Sequence, residues 1–174
     1  MASEKQPAII LGIDPGTCVT GYGIIRVESS VLRALDYGCI RPPAHLKLSD
    51  RYLIIFESIE ELLEKYQPSA LVVESQYMSN NANVRNVKST LKLGMACGIS
   101  ILAAKRKKIP VFEYAPAKAK RAVVGNGAAS KHQVRGMVQQ LLQLPEPPHP
   151  EDASDALSLA ICHAHACSSN HIEI

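Results

Sequence analysis

Near the start of the chain six residues, Ala8 to Ile13 (AIILGI), are apolar or glycine without interruption and run straight into an acid, Asp14. A short aliphatic run with no polar alternation suits a strand buried on both faces. Such a strand needs a layer on each side of it, which points to a sheet covered by helices.

The remaining pattern fits that demand. Gly21 to Val27 and Val31 to Ile40 are strand candidates divided by a polar Glu28-Ser29-Ser30 turn, and with the first strand they predict an antiparallel meander. Tyr52, Ile55, Phe56, Ile59, Leu62, Leu63 and Tyr66 recur at steps of three and four. They lie behind the capping candidates Ser49 and Asp50 and ahead of Pro68, and so predict an amphipathic helix. Ala70 to Glu74 (ALVVE) is a second short buried strand, followed by a polar Ser79-Asn80-Asn81 loop and a helical stretch towards Lys107. Gly94 and Gly98 sit one turn apart in that stretch and predict close packing against another helix, in the core or across a dimer interface. Ile109 to Tyr114 is a fifth strand, and Ser130 with Gln133 forms a capping box ahead of a further helix. After the proline-rich PEPPHP comes a helix from about Glu151 to Ala164. The order predicts an α/β fold with a five-stranded mixed sheet flanked by helices. A chain of 174 residues is about one domain's worth, expected over residues 1–166, with a short polar tail over 167–174.

With 47% hydrophobic and 20% charged residues, no apolar run of spanning length and no signal-peptide pattern at MASEKQP, the chain is expected to be soluble and cytoplasmic. Five scattered cysteines (Cys18, Cys39, Cys97, Cys162, Cys167) include no C-x-x-C pair, and are expected to be free thiols rather than a disulfide framework or zinc site.

The net charge of +3 hides an asymmetry. Between Arg85 and Arg135 there are twelve Lys and Arg against one acid, Glu113, while the other residues hold seven bases and fifteen acids. So concentrated a cationic stretch suits phosphate neutralisation and nucleic-acid binding, although a solvated lysine-rich face has the same composition.

Acids at the ends of buried strands are costly unless paired or bound to a cation, and Asp14 and Glu74 are placed there. In open α/β sheets strand ends are where ligands bind. Asp152 and Asp155 lie three apart at the start of the last helix, on one face. Together the four would make an all-oxygen set of the kind that suits magnesium or manganese and not zinc. Each also has a plainer use: Asp14 before Pro-Gly can start a turn, Glu74 can pair with a lysine, and first-turn acids favour a helix dipole. The glycines and small residues after Asp14 are expected to leave room for a DNA backbone.

Several motifs in order and spacing carry a resemblance: IDPGTCVTGYG, VVES with an aromatic three places after the glutamate, LKLG, PVFEYAP, VVGNGAASKHQV and PEDASDALSLAICHAH. Over nearly the whole chain they resemble the RuvC family of bacterial Holliday junction resolvases. The resemblance implies a ribonuclease H-like fold and a homodimeric, magnesium-dependent endodeoxyribonuclease. Such an enzyme nicks two opposed strands of a four-way DNA junction during recombination and repair. It also implies Asp14, Glu74, Asp152 and Asp155 as the metal-holding catalytic acids, with two Mg2+ per site and Mn2+ as a substitute. Lys120 and Lys131 become phosphate contacts, Tyr77 an aromatic that stacks on bases at the junction centre, and RuvA and RuvB partner proteins. Two departures stand out. The stretch from Met78 to Leu91 is longer than the resemblance leads one to expect, and the aromatic is tyrosine where phenylalanine is expected.

Other classes share parts of this pattern. A strand ending in Asp with Gly-Thr after it also resembles the phosphate loop of actin-type and sugar-kinase ATP-binding proteins, but those need two lobes. A ribonuclease H-like nuclease acting on RNA would share the acids, and an inactive DNA-binding module would use them only for structure. Among the terminal histidines, His163, His165 and His171, packing or surface roles are expected, and only His163, about a turn beyond the acids, merits a functional test.

Overall fold

The computed structural model describes residues 8–29, 31–75 and 84–170. In chain order these form β1 (Ala8–Asp14), β2 (Thr20–Glu28), β3 (Val31–Ile40), α1 (Leu48–Tyr66), β4 (Ala70–Glu74), α2 (Val84–Arg106), β5 (Val111–Tyr114), α3 (Pro116–Val124), α4 (Lys131–Leu141) and α5 (Glu151–Asn170). The strands make one mixed sheet of order β3-β2-β1-β4-β5. β1 is antiparallel to β2 and parallel to β4, β3 is antiparallel to β2, and β5 is parallel to β4.

The unbroken apolar run of β1 takes the centre of the sheet because both of its faces are covered. Leu11 and Ile13 point to a core built with Ile55, Ile59 and Leu63 of α1 and Ala103 and Ala104 of α2. Ile10 points the other way, into a core shared with Leu157 and Ile161 of α5, Val123 of α3 and Val138 of α4. The period-two alternation of β1 and β4 therefore turns Gly12, Asp14, Val72 and Glu74 towards the α5 side.

Several boundaries differ from the sequence expectation, each for a visible reason. α1 starts at Leu48 with Lys47 at the N-cap position and no side-chain cap bond, so Ser49 and Asp50 lie inside its first turn. There Asp50 favours the helix dipole instead of capping it. β5 starts only at Val111, because Ile109 N–H returns to the Ala104 carbonyl at 3.0 Å and Pro110 has no N–H to give the ladder. The capping box of Ser130 and Gln133 is formed in full at the start of α4. α5 runs on to Asn170, so the expected tail begins inside the helix, with Cys167 buried against the core. Among the described residues a Cβ added at Gly94 or Gly98 would meet nothing within 4 Å, so neither glycine is a close contact with them. All five cysteines are free thiols, and among the described residues no helix is long and apolar enough to cross a membrane.

Candidate active site

Asp14 and Glu74 stand one residue beyond the paired Ile13 and Val73, at the ends of neighbouring parallel strands. Pairing of Leu11 with Leu71 through Ile13 with Val73 fixes their registration, and strand alternation sends both side chains to the face that α5 covers.

What brings the helix close enough is glycine. Gly12 pairs across β1 and β2 with Gly23, and Asp14 pairs with Gly21. A Cβ at Gly12 would stand 2.0 Å from the Ala156 carbonyl oxygen, and one at Gly21 would stand 2.1 Å from that of Asp152. At Gly23 it would meet the Leu157 side chain at 2.7 Å. The backbone of α5 rests in this side-chain-free groove, which carries the first turn of the helix to Asp14. This corrects one expectation: the room left by Gly21 and Gly23 is filled by the protein's own helix and not by a DNA backbone. The loop between β1 and β2 is closed separately, by the Thr20 hydroxyl donating to the Gly16 carbonyl at 2.7 Å.

Asp14, Glu74 and Asp155 thus line one cavity of about 300 Å³, together with Lys120 of α3 and Lys131 of α4. Asp152 is not among the lining residues; its charge nevertheless acts on Asp14. Lys131 Nζ lies 3.3 Å from Asp155 Oδ2 and 3.4 Å from Glu151 Oε2. Burial raises the Asp14 carboxyl to about 7, with further upward pressure from Glu74, Asp155 and Asp152 and opposite pressure from Lys131. Glu74 is also raised, first by burial and then by Asp155, while Lys120 and Lys131 pull it down. Carboxylates pressed together in a half-buried pocket are short of positive charge.

The donor chemistry fits a hard divalent cation, since every acidic donor is an oxygen and the cavity is open to solvent-borne ions. Among the described residues no three His, Cys, Asp or Glu side chains already converge as a closed metal cluster. Asp155 is paired with Lys131 Nζ at 3.3 Å.

The other candidates divide. Tyr77 lies outside the described residues. His163 is not in the cavity: it is 1% exposed, packed on the Phe112 ring with centroids 4.2 Å apart, and hydrogen-bonded through Nδ1 to the Tyr114 hydroxyl at 2.9 Å. His165 Nδ1 lies 3.1 Å from the Ala122 carbonyl, a contact between α5 and α3, and His171 lies outside the described residues. Tyr114, at the end of the strand in PVFEYAP, is a further residue beside the site: it pairs with Glu74 across β4 and β5, a neighbourhood that only the strand register reveals. Another is Arg51, which donates to the Thr17 carbonyl in the loop after Asp14.

A mixed sheet of this order, with acids ending its two central parallel strands and another presented by the covering helix, places the chain among the ribonuclease H-like nucleases. The comparisons narrow this. The family model for crossover junction endodeoxyribonuclease RuvC matches residues 10–163. A Protochlamydia amoebophila protein of that name is 60% identical over 160 residues, covering 92% of both chains. One from Chlamydia pneumoniae is 48% identical over 164 residues, covering 92% of this chain and 95% of its own. Among solved structures, Thermus thermophilus RuvC in complex with a Holliday junction substrate has a TM-score of 0.84 at 30% identity, over 93% of this chain and 96% of that one. The chain belongs to the RuvC family of crossover junction endodeoxyribonucleases.

Proposed function

We propose that this chain resolves Holliday junctions, nicking two opposed strands of a four-way DNA junction by metal-dependent phosphodiester hydrolysis in recombination and repair. The observation that carries the chemistry is the meeting of Asp14, Glu74 and Asp155 with two lysines at one cavity. Asp14, Glu74, Asp152 and Asp155 are the acids that hold the metal, Mg2+ by preference with Mn2+ as a substitute, two per site. When bound, such ions lower the pKa of an attacking water and stabilise the leaving oxygen. The chain's own part is to hold and orient. Asp14 must lose its proton to serve as a ligand, and its placement near neutrality makes that loss easy at physiological pH. Lys120 and Lys131 reach into the same cavity and take the phosphates flanking the cut, and Tyr77 stacks on bases opened at the junction centre.

The active form is a homodimer, because a four-way junction is nearly two-fold symmetric and an isologous pair sets one site on each of two opposed strands. An exposed apolar stripe on α2, Leu91, Met95 and Leu102 with Gly94 and Gly98 between them, supports this. The protein works in the cytoplasm alongside RuvA and RuvB as one nuclease domain spanning residues 1–166.

The deciding experiment compares Mg2+-dependent cleavage of a synthetic four-way junction, a linear duplex of the same sequence and an RNA·DNA hybrid. Paired nicks confined to the junction, lost in Asp14→Asn and Asp155→Asn while binding survives, are expected. Preferential cutting of the hybrid would assign the chain to RNA processing instead, and binding without cutting of any substrate would make it a passive DNA-binding module.

A further inference from the structure

Beyond the acids themselves, the structure assigns a role to a buried pair that touches neither cavity nor solvent: Tyr114 and His163 are positioning residues whose hydrogen bond sets the distance between Glu74 and Asp155. The inference rests on the reading of those two acids as metal ligands.

The acids of the cavity arrive on three separate elements. Asp14 and Asp155 are registered to each other by the glycine groove, where α5 rests on β1 and β2. Glu74 is on β4, already held beside Asp14 by the parallel ladder with β1, and a second tie to α5 runs through β5. Tyr114 is its register partner on β5, and the ladder continues past Glu74 through Ser75 N–H to the Tyr114 carbonyl at 2.9 Å. The position of Glu74 therefore follows that of Tyr114. Tyr114 is in turn pinned to α5 by its hydroxyl, 2.9 Å from His163 Nδ1.

The bond joins two neutral groups. His163 is buried and its imidazole is held down to about 4 by that burial, so it is neutral. Tyr114 is raised to about 12, chiefly by burial, so it keeps its proton. Nδ1 thus faces the phenol and Nε2 faces Cys167 Sγ at 3.5 Å, so both ring nitrogens are partnered inside the protein. The Phe112 ring packed on the imidazole fixes its plane. The outer face of the Tyr114 ring carries Lys118 Nζ at 4.6 Å from its centroid, so the same side chain also anchors α3, the helix that delivers Lys120 to the cavity. His163 lies eight residues beyond Asp155, about 12 Å along the helix axis, far enough to act as a lever on the helix and not as a ligand.

The test uses the full-length protein and Mn2+ as probe, with free Mn2+ read by electron paramagnetic resonance in the absence of DNA. Tyr114→Phe keeps the ring and its packing and removes only the hydroxyl. It is expected to weaken Mn2+ binding about tenfold, as loss of an outer-shell partner commonly does. Single-turnover cleavage of a four-way junction at limiting metal should fall in parallel, with junction affinity in EDTA unchanged. His163→Leu should do the same, and the double variant should be no worse than either single one. His163→Asn, which keeps an acceptor near the place of Nδ1, should recover part of the loss. Unchanged Mn2+ affinity in Tyr114→Phe, whether or not its melting temperature falls, would overturn the inference, as would additive losses in the double variant. Failure of the wild-type protein to bind Mn2+ or to cut would count against the metal-acid reading itself, a result separable from failure of the pair.

Discussion

Lys131 Nζ, 3.3 Å from Asp155 Oδ2, is the counter-charge of the acid cluster. Its charge also pulls down the carboxyl groups of Asp14 and Glu74, and Asp155 in return is the chief cause raising the ammonium of Lys131. One side chain thus stands both against the acids and on the wall of the cavity they line. On the proposed reading, a cation held by these acids would compete with the lysine, and the ammonium would then be free to face a phosphate.

Lys131→Met is therefore expected to act in opposite directions on two ligands. Without DNA, divalent binding should tighten. The lysine is about half exposed, so the gain is that of a largely solvated ion pair, about two- to fivefold. Junction binding should weaken, with the slope of log affinity against log salt shallower by about one. Mn2+ titration and junction binding across a salt series measure the two effects. Weaker metal binding in the variant would show that Lys131 supports the ligand set instead of competing with it.

The raised Asp14 predicts a stability cost that only the free protein carries. Its carboxyl sits at about 7 in the fold against 3.8 ordinarily, so between those values the folded state holds more protons than the unfolded one. Stability of the metal-free protein is then expected to fall as pH rises through that window, and Mn2+ affinity to rise over the same range and level off above it. Asp14→Asn should abolish cleavage yet stabilise the protein in EDTA above neutrality, by on the order of 1–4 kcal/mol. Denaturant unfolding at acid and neutral pH, with and without divalent ions, checks the sign. A variant less stable than wild type in EDTA at neutral pH would contradict it.

These functional costs connect to what could be foreseen. β1, β4 and the helix carrying Asp152 and Asp155 were legible because their signals are local: an unbroken apolar run, a five-residue strand ending in Glu, and a helix start after prolines. That Asp14 and Glu74 would be neighbours was not, since it depends on β1 and β4 pairing in parallel across sixty residues of intervening chain. Gly21 and Gly23 are legible as a gap after Asp14 but not as a seat for α5, and Gly12 carries no such signal in the sequence. Their spacing, Gly12, Gly21 and Gly23, becomes a single groove only once the hairpin register sets Gly12 opposite Gly23. His163 stands out in the sequence for its position after the acids, but no local pattern reveals that its ring meets the Tyr114 hydroxyl.

The groove gives a sharp substitution test. Gly12→Ala sets a methyl group 2.0 Å from a helix backbone carbonyl, and neither strand nor helix can yield by rotating a side chain. The helix must lift, and with it Asp155 leaves the neighbourhood of Asp14. A loss of about 3 kcal/mol or more is expected, together with loss of metal-dependent cleavage in whatever fraction remains folded. Chemical denaturation and a junction-cleavage assay on the soluble fraction measure both. Full activity with unchanged stability would mean that α5 is not seated as described.

Gly94 is the opposite case, and it bears on assembly. A methyl group there meets nothing among the described residues, so Gly94→Ala should stabilise the isolated fold by up to about 1 kcal/mol through helix propensity alone. Leu91, Met95 and Leu102 share its helix at steps of four and seven residues, one and two turns apart, and are 61%, 55% and 55% exposed, a surface costly for a lone protomer to keep in water. If a second copy covers this face, glycine there serves close approach of the two helices, and Gly94→Ala should weaken the dimer while strengthening the protomer. Leu102→Glu should go further, giving a monomeric mass at micromolar concentration with the far-ultraviolet spectrum unchanged. Single-site cutting chemistry should survive in that variant, but the two nicks in a junction should become independent events, because each site would then reach its strand alone. Light scattering gives the mass, and a supercoiled cruciform substrate separates paired from single nicks. A monomeric wild-type protein at the same concentration would refute the dimer, and an unaltered dimer in Leu102→Glu would move the interface to another face.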